Sequence, residues 1–478
     1  MERSLRLLSL DKFVPGVLAA VGALLLVQWY GGSDVQGLEE SLLRARTPLV
    51  RKAASRQAAP AVEPISKTGK LTRTGAEPAD LPGSWPRFRG RNFDNVAADE
   101  AGLTRNWPRQ GPKVLWSIPV GEGHAGAAIH KGRVYLLDYD RQNRRDAMRC
   151  LSLANGTELW RFSYPADVKF LYGMSRTVPA VTDKHLVGLG PKCHVICLDA
   201  MTGEFRWAYD LIAQFGSTEP PWYAGQCPLV DGGRAILAVG GDVLMMAVDC
   251  ATGNIVWKTP NPQKWQMTHS SVVPMDFDGR RTYLYCASGG VVAVDAQDGS
   301  VVWKTEQWRV QFANVPSPVV LPGGRVFLSG GYGKTGCMML QLKSENGNVA
   351  PHVLYRLKKS VFSAEQHTPI FLDGHIYGVI VKGEMACLDP AGTVAWTSGR
   401  EKRFNRGPYL IADGLIFAMN DVGVLALVEV NPSGYRELAR AKVLPARDRE
   451  SWGPMAIAGG RLILRDLKNL TCLDVRGQ

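Results

Sequence analysis

Alternating apolar and polar residues recur along this chain in a pattern that ends on tryptophan. Each copy has a strand of the type Val-x-Val or Leu-x-Leu, then a pair such as Thr-Gly, Asp-Gly or Asn-Gly, then a second short strand. The alternation predicts strands with one buried face, and the Gly-containing pair predicts a tight hairpin. The clear copies close on six tryptophans: Trp116, Trp160, Trp207, Trp257, Trp303 and Trp396.

The spacing of the copies predicts an all-β architecture. Trp160, Trp207, Trp257 and Trp303 follow one another at intervals of 47, 50 and 46 residues. About four strands of ~5–6 residues fit in each interval. A four-stranded unit cannot bury both of its faces alone, whereas units stacked around an axis can, which predicts a β-propeller. The hairpin glycines expected to support the repeat are Gly203, Gly253 and Gly299.

Counting the closing strands predicts eight blades. Two degenerate copies complete the set: residues 353–356 after the Asn346-Gly347 turn, and Tyr435-Arg436 after residues 431–434. The chain ends on a third strand, residues 471–474, and its ordered part begins with a fourth strand, residues 113–116. Pairing these two strands would close the ring with a one-strand clasp and leave no open blade edge.

The N-terminal region differs from the rest of the chain. Basic residues precede an apolar run over residues 13–27, and acidic residues follow it. This order predicts a signal or transmembrane segment over residues 1–33, with its N-terminus in the cytoplasm. An uncleaved anchor is favoured over a cleaved secretion signal. Residues 34–83 are rich in Ala, Pro, Ser and Thr and are predicted to be a flexible linker, and residues 84–478 the propeller.

The repeated phrase resembles the pyrroloquinoline quinone (PQQ)-like β-propeller repeat. Its form is Ala-x-Asp-x-x-Thr-Gly-x-x-x-Trp, and the lead-in over residues 85–95, Trp-Pro-Arg-Phe-Arg-Gly-Arg-Asn-Phe-Asp-Asn, supports the same resemblance. Two branches of this family differ in function. One contains the quinoprotein dehydrogenases, and the other contains the non-catalytic outer-membrane protein assembly factor BamB and its relatives. The fold alone does not choose between them.

The resemblance to quinoprotein dehydrogenases implies features that this sequence lacks. Those enzymes use a disulfide between adjacent cysteines and hold a calcium ion beside PQQ with Glu and Asn side chains. The nine cysteines here include no adjacent pair, and no matching acidic constellation can be carried over. The nearest loop carboxylates are Glu219 and Glu365. No cofactor is therefore expected, and PQQ with calcium belongs only to the enzyme alternative.

Charge adds little to the choice of partner. The chain carries a formal net charge of +12, but no basic run is interleaved with aromatic residues, so nucleic acid is not expected as a partner. The excess of positive charge mainly indicates a solvated basic surface. Weak attraction to anionic lipid or cell-wall polymer is the less favoured interpretation.

A ring of polar and aromatic residues is predicted at the mouth of the central channel. These residues precede a recurring small-residue or proline step at the start of each innermost strand: His124, Arg176, Gln226, His269, Asn314, His367, Arg406 and Trp452. They serve either to cap the channel or to bind an anionic, planar or peptide ligand. Neighbouring loops add Tyr172, Trp222, Tyr223, Trp265, Phe312 and Phe404.

The favoured function is a non-catalytic scaffold that resembles BamB. It would be a monomeric propeller, anchored to the bacterial inner membrane and exposed to the periplasm, with protein partners on its blade loops. A PQQ-dependent oxidoreductase and a ligand- or glycan-binding sensor are the alternatives. No catalytic residue and no metal ligand is assigned from the sequence.

Overall fold

The computed structural model describes residues 64–169, 173–445 and 450–477. The predicted membrane segment and most of the predicted linker lie outside these residues. Residues from Pro64 onward form one compact unit, separate from residues 1–63. Among the described residues, no helix is long and apolar enough to cross a membrane.

Eight antiparallel sheets confirm the predicted eight-bladed propeller. The first, innermost strands of blades 1 to 8 are β5 (Ala128–His130), β9 (Ala180–Val181), β13 (Leu229–Asp231), β17 (Val273–Phe277), β21 (Val319–Leu321), β25 (Ile370–Leu372), β29 (Tyr409–Ala412) and β33 (Ala456–Ala458). The second strands are β6 (Arg133–Asp140), β10 (His185–Leu189), β14 (Arg234–Ala238), β18 (Arg280–Ala287), β22 (Arg325–Gly330), β26 (His375–Val379), β30 (Leu415–Met419) and β34 (Arg461–Arg465).

The outer half of each blade completes the four-stranded sheet. The third strands are β7 (Arg145–Ser152), β11 (His194–Asp199), β15 (Val243–Asp249), β19 (Gly290–Asp295), β23 (Gly336–Glu345), β27 (Met385–Leu388), β31 (Val424–Glu429) and β35 (Asn469–Asp474). The fourth, outermost strands are β8 (Glu158–Pro165), β12 (Phe205–Asp210), β16 (Ile255–Pro260), β20 (Val301–Thr305), β24 (Asn348–Leu357), β28 (Val394–Thr397), β32 (Glu437–Lys442) and β4 (Lys113–Pro119).

The predicted clasp is present in blade 8. Strand β4, from the start of the propeller, pairs antiparallel with β35, the last strand of the chain. Trp116 lies opposite Cys472 in this pairing. The two ends of the chain therefore complete one sheet.

The antiparallel order within each blade defines two faces of the propeller. First strands begin at one face, and third strands begin at the same face because the strands alternate in direction. This face is called the mouth face below. It carries the loops between second and third strands and the connections between blades. The turns between first and second strands, and between third and fourth strands, lie on the opposite face.

The repeat tryptophans join neighbouring blades. All six are buried, with exposed fractions between 2% for Trp160 and 9% for Trp396. Five indole N–H groups donate to a backbone carbonyl just beyond the third strand of the next blade, at 2.8–3.1 Å: Trp116 to Leu153, Trp160 to Met201, Trp207 to Cys250, Trp257 to Ala296 and Trp396 to Asn431. The apolar pattern therefore fixes the contact between blades as well as the core of each.

One of the two degenerate copies has different bounds from those predicted. Residues 353–356 lie within β24, after the Asn346-Gly347 turn, as expected. Tyr435-Arg436, by contrast, precedes the strand, because β32 begins at Glu437. The ring of Tyr435 packs edge-on against Trp396 with their centroids 5.8 Å apart. This contact with the preceding blade holds Tyr435 in the turn.

Among the described residues, three short strands and two helices lie outside the four-stranded pattern. They are α1 (Ile65–Thr68), β1 (Lys70–Arg73), β2 (Ser84–Trp85), β3 (Val96–Ala97) and α2 (Leu211–Phe215). Strand β1 pairs antiparallel with β8 at the outer edge of blade 1, with Lys70 opposite Ser163. Residues 65–73, within the predicted linker, thus belong to the compact unit that starts at Pro64.

Candidate functional site

A segment near the N-terminus crosses the central channel and closes it. Strand β2 pairs with β5 of blade 1, and β3 pairs in parallel with β29 of blade 7. Both contacts are made at the ends of first strands, near the face opposite the mouth. Residues 84–97, called the channel plug below, contain the lead-in that carried part of the family resemblance.

Hydrogen bonds fix the channel plug to blades on different sides of the axis. Arg87 donates from Nη1 to the carbonyl of Val230 in blade 3 at 2.8 Å. Arg89 donates from Nη2 to the carbonyl of Pro369 beside blade 6 at 3.2 Å. Burial lowers the pKa of Arg89 to about 10, so the buried guanidinium stays charged at neutral pH. The Arg-x-Arg spacing therefore serves to anchor the plug.

The plug leaves little free space beneath it. A cavity of about 10 Å³ remains between the plug and blades 3 to 5, lined in part by Arg87, Phe93, Cys227 and Ser317. This volume is about that of one water molecule. This cavity therefore has no room for an organic cofactor.

A chain of hydrogen bonds surrounds the channel just inside the mouth. Each link runs from a backbone N–H to a side chain of the next blade, at 2.9–3.2 Å: Val178 to Cys227, Cys227 to Ser271, Ser271 to Ser317 and Ser317 to Thr368. These links join blades 2 to 6. They explain why small hydroxyl and thiol side chains occupy the recurring step at the start of the inner strands.

The same chain of bonds shows that the predicted mouth residues do not share one position in the repeat. Gln226 and His367 directly precede a linking residue, whereas His269 lies two residues before Ser271 and Asn314 three before Ser317. The loops between blades differ in length. The residue just before the proline step therefore does not occupy the same place in every blade. The candidates consequently form two clusters, with Gln226 and Asn314 buried in the channel wall.

The first cluster contains Trp452, His124, Arg406 and Glu365. The His124 ring stacks on Trp452 with centroids 4.8 Å apart and an interplanar angle of 30°. The Arg406 guanidinium carbon lies 5.7 Å from the Trp452 ring centroid. Arg406 also donates to both carboxylate oxygens of Glu365, at 3.2 and 3.3 Å. The positive charge of Arg406 is thus balanced within the protein.

The second cluster contains Arg176, Trp222, His269 and Tyr332. Arg176 donates to the carbonyls of Trp222 and Gly173, and the Trp222 ring lies 6.3 Å from His269 and 6.4 Å from Tyr332. Gln366 donates to the Tyr332 hydroxyl at 2.8 Å. Because Gln366 adjoins Glu365, this bond connects the two clusters across the mouth.

Titration of the histidines limits what the mouth can attract. Burial, with a smaller contribution from Arg176, lowers the pKa of His269 to about 4. Burial also lowers the pKa of His367 to about 4. Both imidazoles are therefore neutral at pH 7 and add no positive charge. Burial lowers the pKa of Arg176 to about 10, so Arg176 stays cationic.

Two further candidates are buried in the channel wall. Gln226 is fully buried, and its amide exchanges two hydrogen bonds with the backbone of Ala238 in its own blade, at 2.7 and 2.8 Å. Asn314 is 4% exposed, and neither amide atom has a hydrogen-bond partner among the described residues. Gln226 therefore supports the blade, whereas the Asn314 amide has no such role among the described residues.

Sequence reasoning missed two residues near the mouth. Tyr332 lies between glycines in a loop of blade 5 and contacts Trp222; glycine-flanked loop aromatics are a usable signal. Arg465 ends strand β34, is 2% exposed, and donates to the carbonyls of Gly121 and Ala125 at 2.7 and 3.1 Å. A charged residue ending an apolar strand could have indicated this role. Of the loop aromatics, Tyr172 lies outside the described residues.

The residues at the mouth do not fit PQQ with calcium. Within the described ranges, no group of three or more His, Cys, Asp or Glu side chains is placed to hold a metal ion. The loop carboxylate Glu365 is already bound by Arg406. All nine cysteines are buried and unpaired as disulfides. No reaction step is derived through that cofactor.

These features define the class of protein: an eight-bladed propeller built from PQQ-like repeats, with a plug segment across the channel and described mouth side chains that contact one another. A family model described as outer membrane protein assembly factor BamB matches residues 144–398. This is more than half of the chain, and the chain belongs to that family. The resemblance predicted from the repeat phrase is confirmed.

Solved structures show the same fold at low sequence identity. BamB from Moraxella catarrhalis is 15% identical, with a TM-score of 0.53 over 75% of this chain and 96% of that chain. The computationally designed Ika8 protein is 11% identical, with a TM-score of 0.51 over 76% and 100%. A europium-containing methanol dehydrogenase is 12% identical, with a TM-score of 0.46 over 82% and 89%. No curated protein sequence matches the chain significantly.

Proposed function

We propose that this protein is a non-catalytic scaffold, tethered to the bacterial inner membrane and binding protein partners in the periplasm. Family membership supports a role in protein–protein interaction. The plugged channel and the mouth residues that bind one another favour a scaffold over an enzyme. The apolar run over residues 13–27 would supply the tether.

The outer edge of blade 5 is the observation that carries this proposal. Strand β24 has ten residues, more than any other fourth strand, and its pairing partner is β23. Its residues alternate between exposed and half-buried along the whole strand. Leu354 is 53% exposed on the outward side. A long edge strand with an exposed apolar side chain can accept a further strand.

The chain itself shows that a blade of this propeller accepts an added strand. Strand β1 pairs over four residues with β8, the fourth strand of blade 1. Arg73 then donates to Glu204 of blade 2 at 2.9 Å, which fixes the added strand further. An extended segment of another protein would add to β24 in the same way, because both are outermost strands of equivalent sheets.

Two features of β24 define the segment that would bind. Pro351 has no N–H group, so it interrupts the donors of the outer edge. The usable stretch is therefore residues 352–357. This stretch carries Arg356 and no acidic residue. Complementary charge favours an extended partner segment with acidic residues.

Site-specific photocrosslinking of the full chain in its own cells tests this proposal. A photoreactive amino acid at Leu354 is expected to yield a discrete adduct with a partner protein. The matched control is Val256 on β16, which is 42% exposed on another fourth strand. The Leu354→Asp variant is expected to lose partner binding, and Val256→Asp to keep it.

Hydrogen exchange distinguishes strand addition from contact by side chains alone. Amides of residues 352–357 that face outward should exchange more slowly when the identified partner is bound. Equal adducts from both positions, or no protection of these amides, would exclude β24 as the docking site. The ligand-binding and glycan-binding alternatives for the mouth remain predictions.

A further inference from the structure

Charge is unevenly divided between the two faces of the propeller. The turns that connect consecutive strands on the opposite face carry seven Asp or Glu residues and three Lys or Arg residues. Four loops of blades 5 and 6 on the mouth face, residues 331–335, 358–369, 380–384 and 398–408, carry eight Lys or Arg and three Asp or Glu. The basic character of the propeller is therefore concentrated on one side of the mouth face.

Most of the carboxylates in these four loops cannot neutralise the surface. Glu365 is bound to Arg406, and Glu384 is 7% exposed. The outward-facing cations are Lys334, Lys358, Lys359, Lys382, Arg400 and Arg403. They are spread over several loops and do not line a groove.

Two exposed apolar side chains lie on mouth-face connections of the same region, Val361 within residues 358–369 and Phe312 in the connection that leads into blade 5. Phe312 is 51% exposed and Val361 is 39% exposed. Phe312 has a φ of 67°, which bulky residues rarely adopt. A residue held in such a conformation on an exposed loop is a reason to look for a function. Phe312, Val361 and the six cations define the blade 5–6 patch.

The N-terminal part of the chain joins the propeller at the same face. Thr68, at the end of α1, accepts a hydrogen bond from Arg145 Nη2 at 2.9 Å. Arg145 is the first residue of the third strand β7 and therefore lies at the mouth face. Thr68 thus lies at the mouth face of blade 1. Blade 5 lies across the ring from blade 1.

We propose that the blade 5–6 patch binds the anionic headgroups of a lipid bilayer and turns the mouth face toward the membrane. The cations attract lipid phosphate, and Phe312 and Val361 enter the interface between headgroups and acyl chains. The membrane tether is part of the proposed function, but the patch itself does not depend on it.

A bilayer fits this patch better than an acidic protein does. Cations scattered over convex loops suit a fluid charged surface, which needs no shape complementarity. Exposed aromatic and aliphatic tips among lysines are typical of interfacial membrane binding. The proposed membrane tether would raise the effective concentration of the patch at the surface.

A fluorescent label can report this contact because all nine native cysteines are buried. Ser360→Cys places a single reactive thiol between Lys359 and Val361, and Ser433→Cys places a matched thiol on the opposite face; both serines are exposed. The full chain is reconstituted in nanodiscs of phosphatidylcholine alone or with phosphatidylglycerol. An environment-sensitive label at residue 360 should brighten and shift to the blue only in the anionic nanodiscs.

Further variants connect the signal to the patch. The pair Lys358→Gln and Lys359→Gln should weaken docking roughly 30-fold, because each basic residue near an anionic surface contributes roughly five-fold. Phe312→Ser should reduce the blue shift. The label at residue 433 should not respond in either nanodisc.

Three outcomes would overturn the proposal. They are an equal response in neutral and anionic nanodiscs, no response at residue 360, or a response to polyglutamate with none to anionic lipid. The last result would assign the patch to acidic proteins. The tether is tested separately by measuring, with gel filtration, whether the full chain is incorporated into neutral nanodiscs. Failure of the membrane anchor is therefore distinguishable from failure of the patch.

Discussion

The indole of Trp207 in blade 2 lies against Gly253 of blade 3 so closely that a β-carbon at residue 253 would come within 2.7 Å of the ring. Gly253 also has a φ of 76°, in the region that side chains rarely adopt. The same contact recurs between Trp160 and Gly203, and between Trp257 and Gly299. The hairpin glycine therefore belongs to the interface between blades as much as to the turn.

Replacing Gly253 by Ala should lower the free energy of unfolding by about 2–5 kcal/mol. The left-handed backbone costs about 1–2 kcal/mol, and overpacking against Trp207 costs about 1–3 kcal/mol. Urea unfolding followed by circular dichroism gives the change directly.

Gly374→Ala is the matched control for this substitution. Gly374 has a φ of 77°, but apart from its chain neighbours no atom lies within 4 Å of the position that a β-carbon would occupy. Only the backbone cost of about 1–2 kcal/mol should appear. Equal losses in the two variants would show that the Trp207 contact adds nothing.

The native protein should be inert to thiol reagents. All nine cysteines are buried, and burial raises the pKa of several thiols, including Cys227 and Cys286, to about 12. A disulfide reagent at pH 8 should therefore titrate no thiols in the folded chain and nine after denaturation. Ser360→Cys should add one reactive thiol to the folded chain. Rapid reaction of a native cysteine would contradict the packing described between the blades.

Asp146 should make the propeller less stable as the pH rises from about 4 to 7. The side chain is 1% exposed and accepts a hydrogen bond from Tyr164 at 2.5 Å. Burial raises its pKa to about 7. The folded state therefore keeps a proton that the unfolded chain releases near its ordinary, lower pKa, so stability falls with rising pH across that range.

Asp146→Asn isolates this contribution. The difference in unfolding free energy between the variant and the wild type should change by at most about 1.4 kcal/mol per pH unit between pH 4 and 7. Above pH 7 the difference should be constant. A difference that does not vary with pH would mean that Asp146 titrates normally.

Titration with PQQ should produce no saturable heat, with or without calcium. Arg406 is bound to Glu365 at the mouth, and the plug pairs with first strands of blades 1 and 7. Isothermal calorimetry on the purified full chain tests this. Tight calcium-dependent binding that disappears in the double variant Arg176→Ala, Arg406→Ala would instead support an oxidoreductase.

The repeat phrase predicts the fold well because each phrase contains a complete physical unit. Alternation, a hairpin glycine and a closing tryptophan specify strands, turn and blade contact together, so the blade number and the clasp follow from counting. The predicted start of the strand at Tyr435 is less accurate. The turn there is held by an aromatic contact with Trp396, which the local sequence pattern does not indicate.

The site is less predictable because loops of unequal length place its residues. Sequence spacing puts Gln226 and Asn314 in one ring with Arg406, but the structure buries both amides in the channel wall. The pairing of Arg406 with Glu365 joins residues 41 positions apart. The sequence indicates the channel plug only through its resemblance to the family's lead-in segment. Its position in the channel could not be predicted, because its partners lie hundreds of residues away, as Arg89 and Pro369 show.

That plug has a consequence for biogenesis. Residues 84–97 emerge from the ribosome before any blade exists, yet β3 pairs with a strand of blade 7. The clasp strand β4 likewise cannot complete its sheet until β35, the last strand of the propeller, has been synthesised. Early blades can form as they are synthesised, but the ring has no closed intermediate. If synthesis stopped before blade 7, the plug would lack its partner strand and β4 would remain an unpaired strand edge. Both segments would then be accessible to proteases.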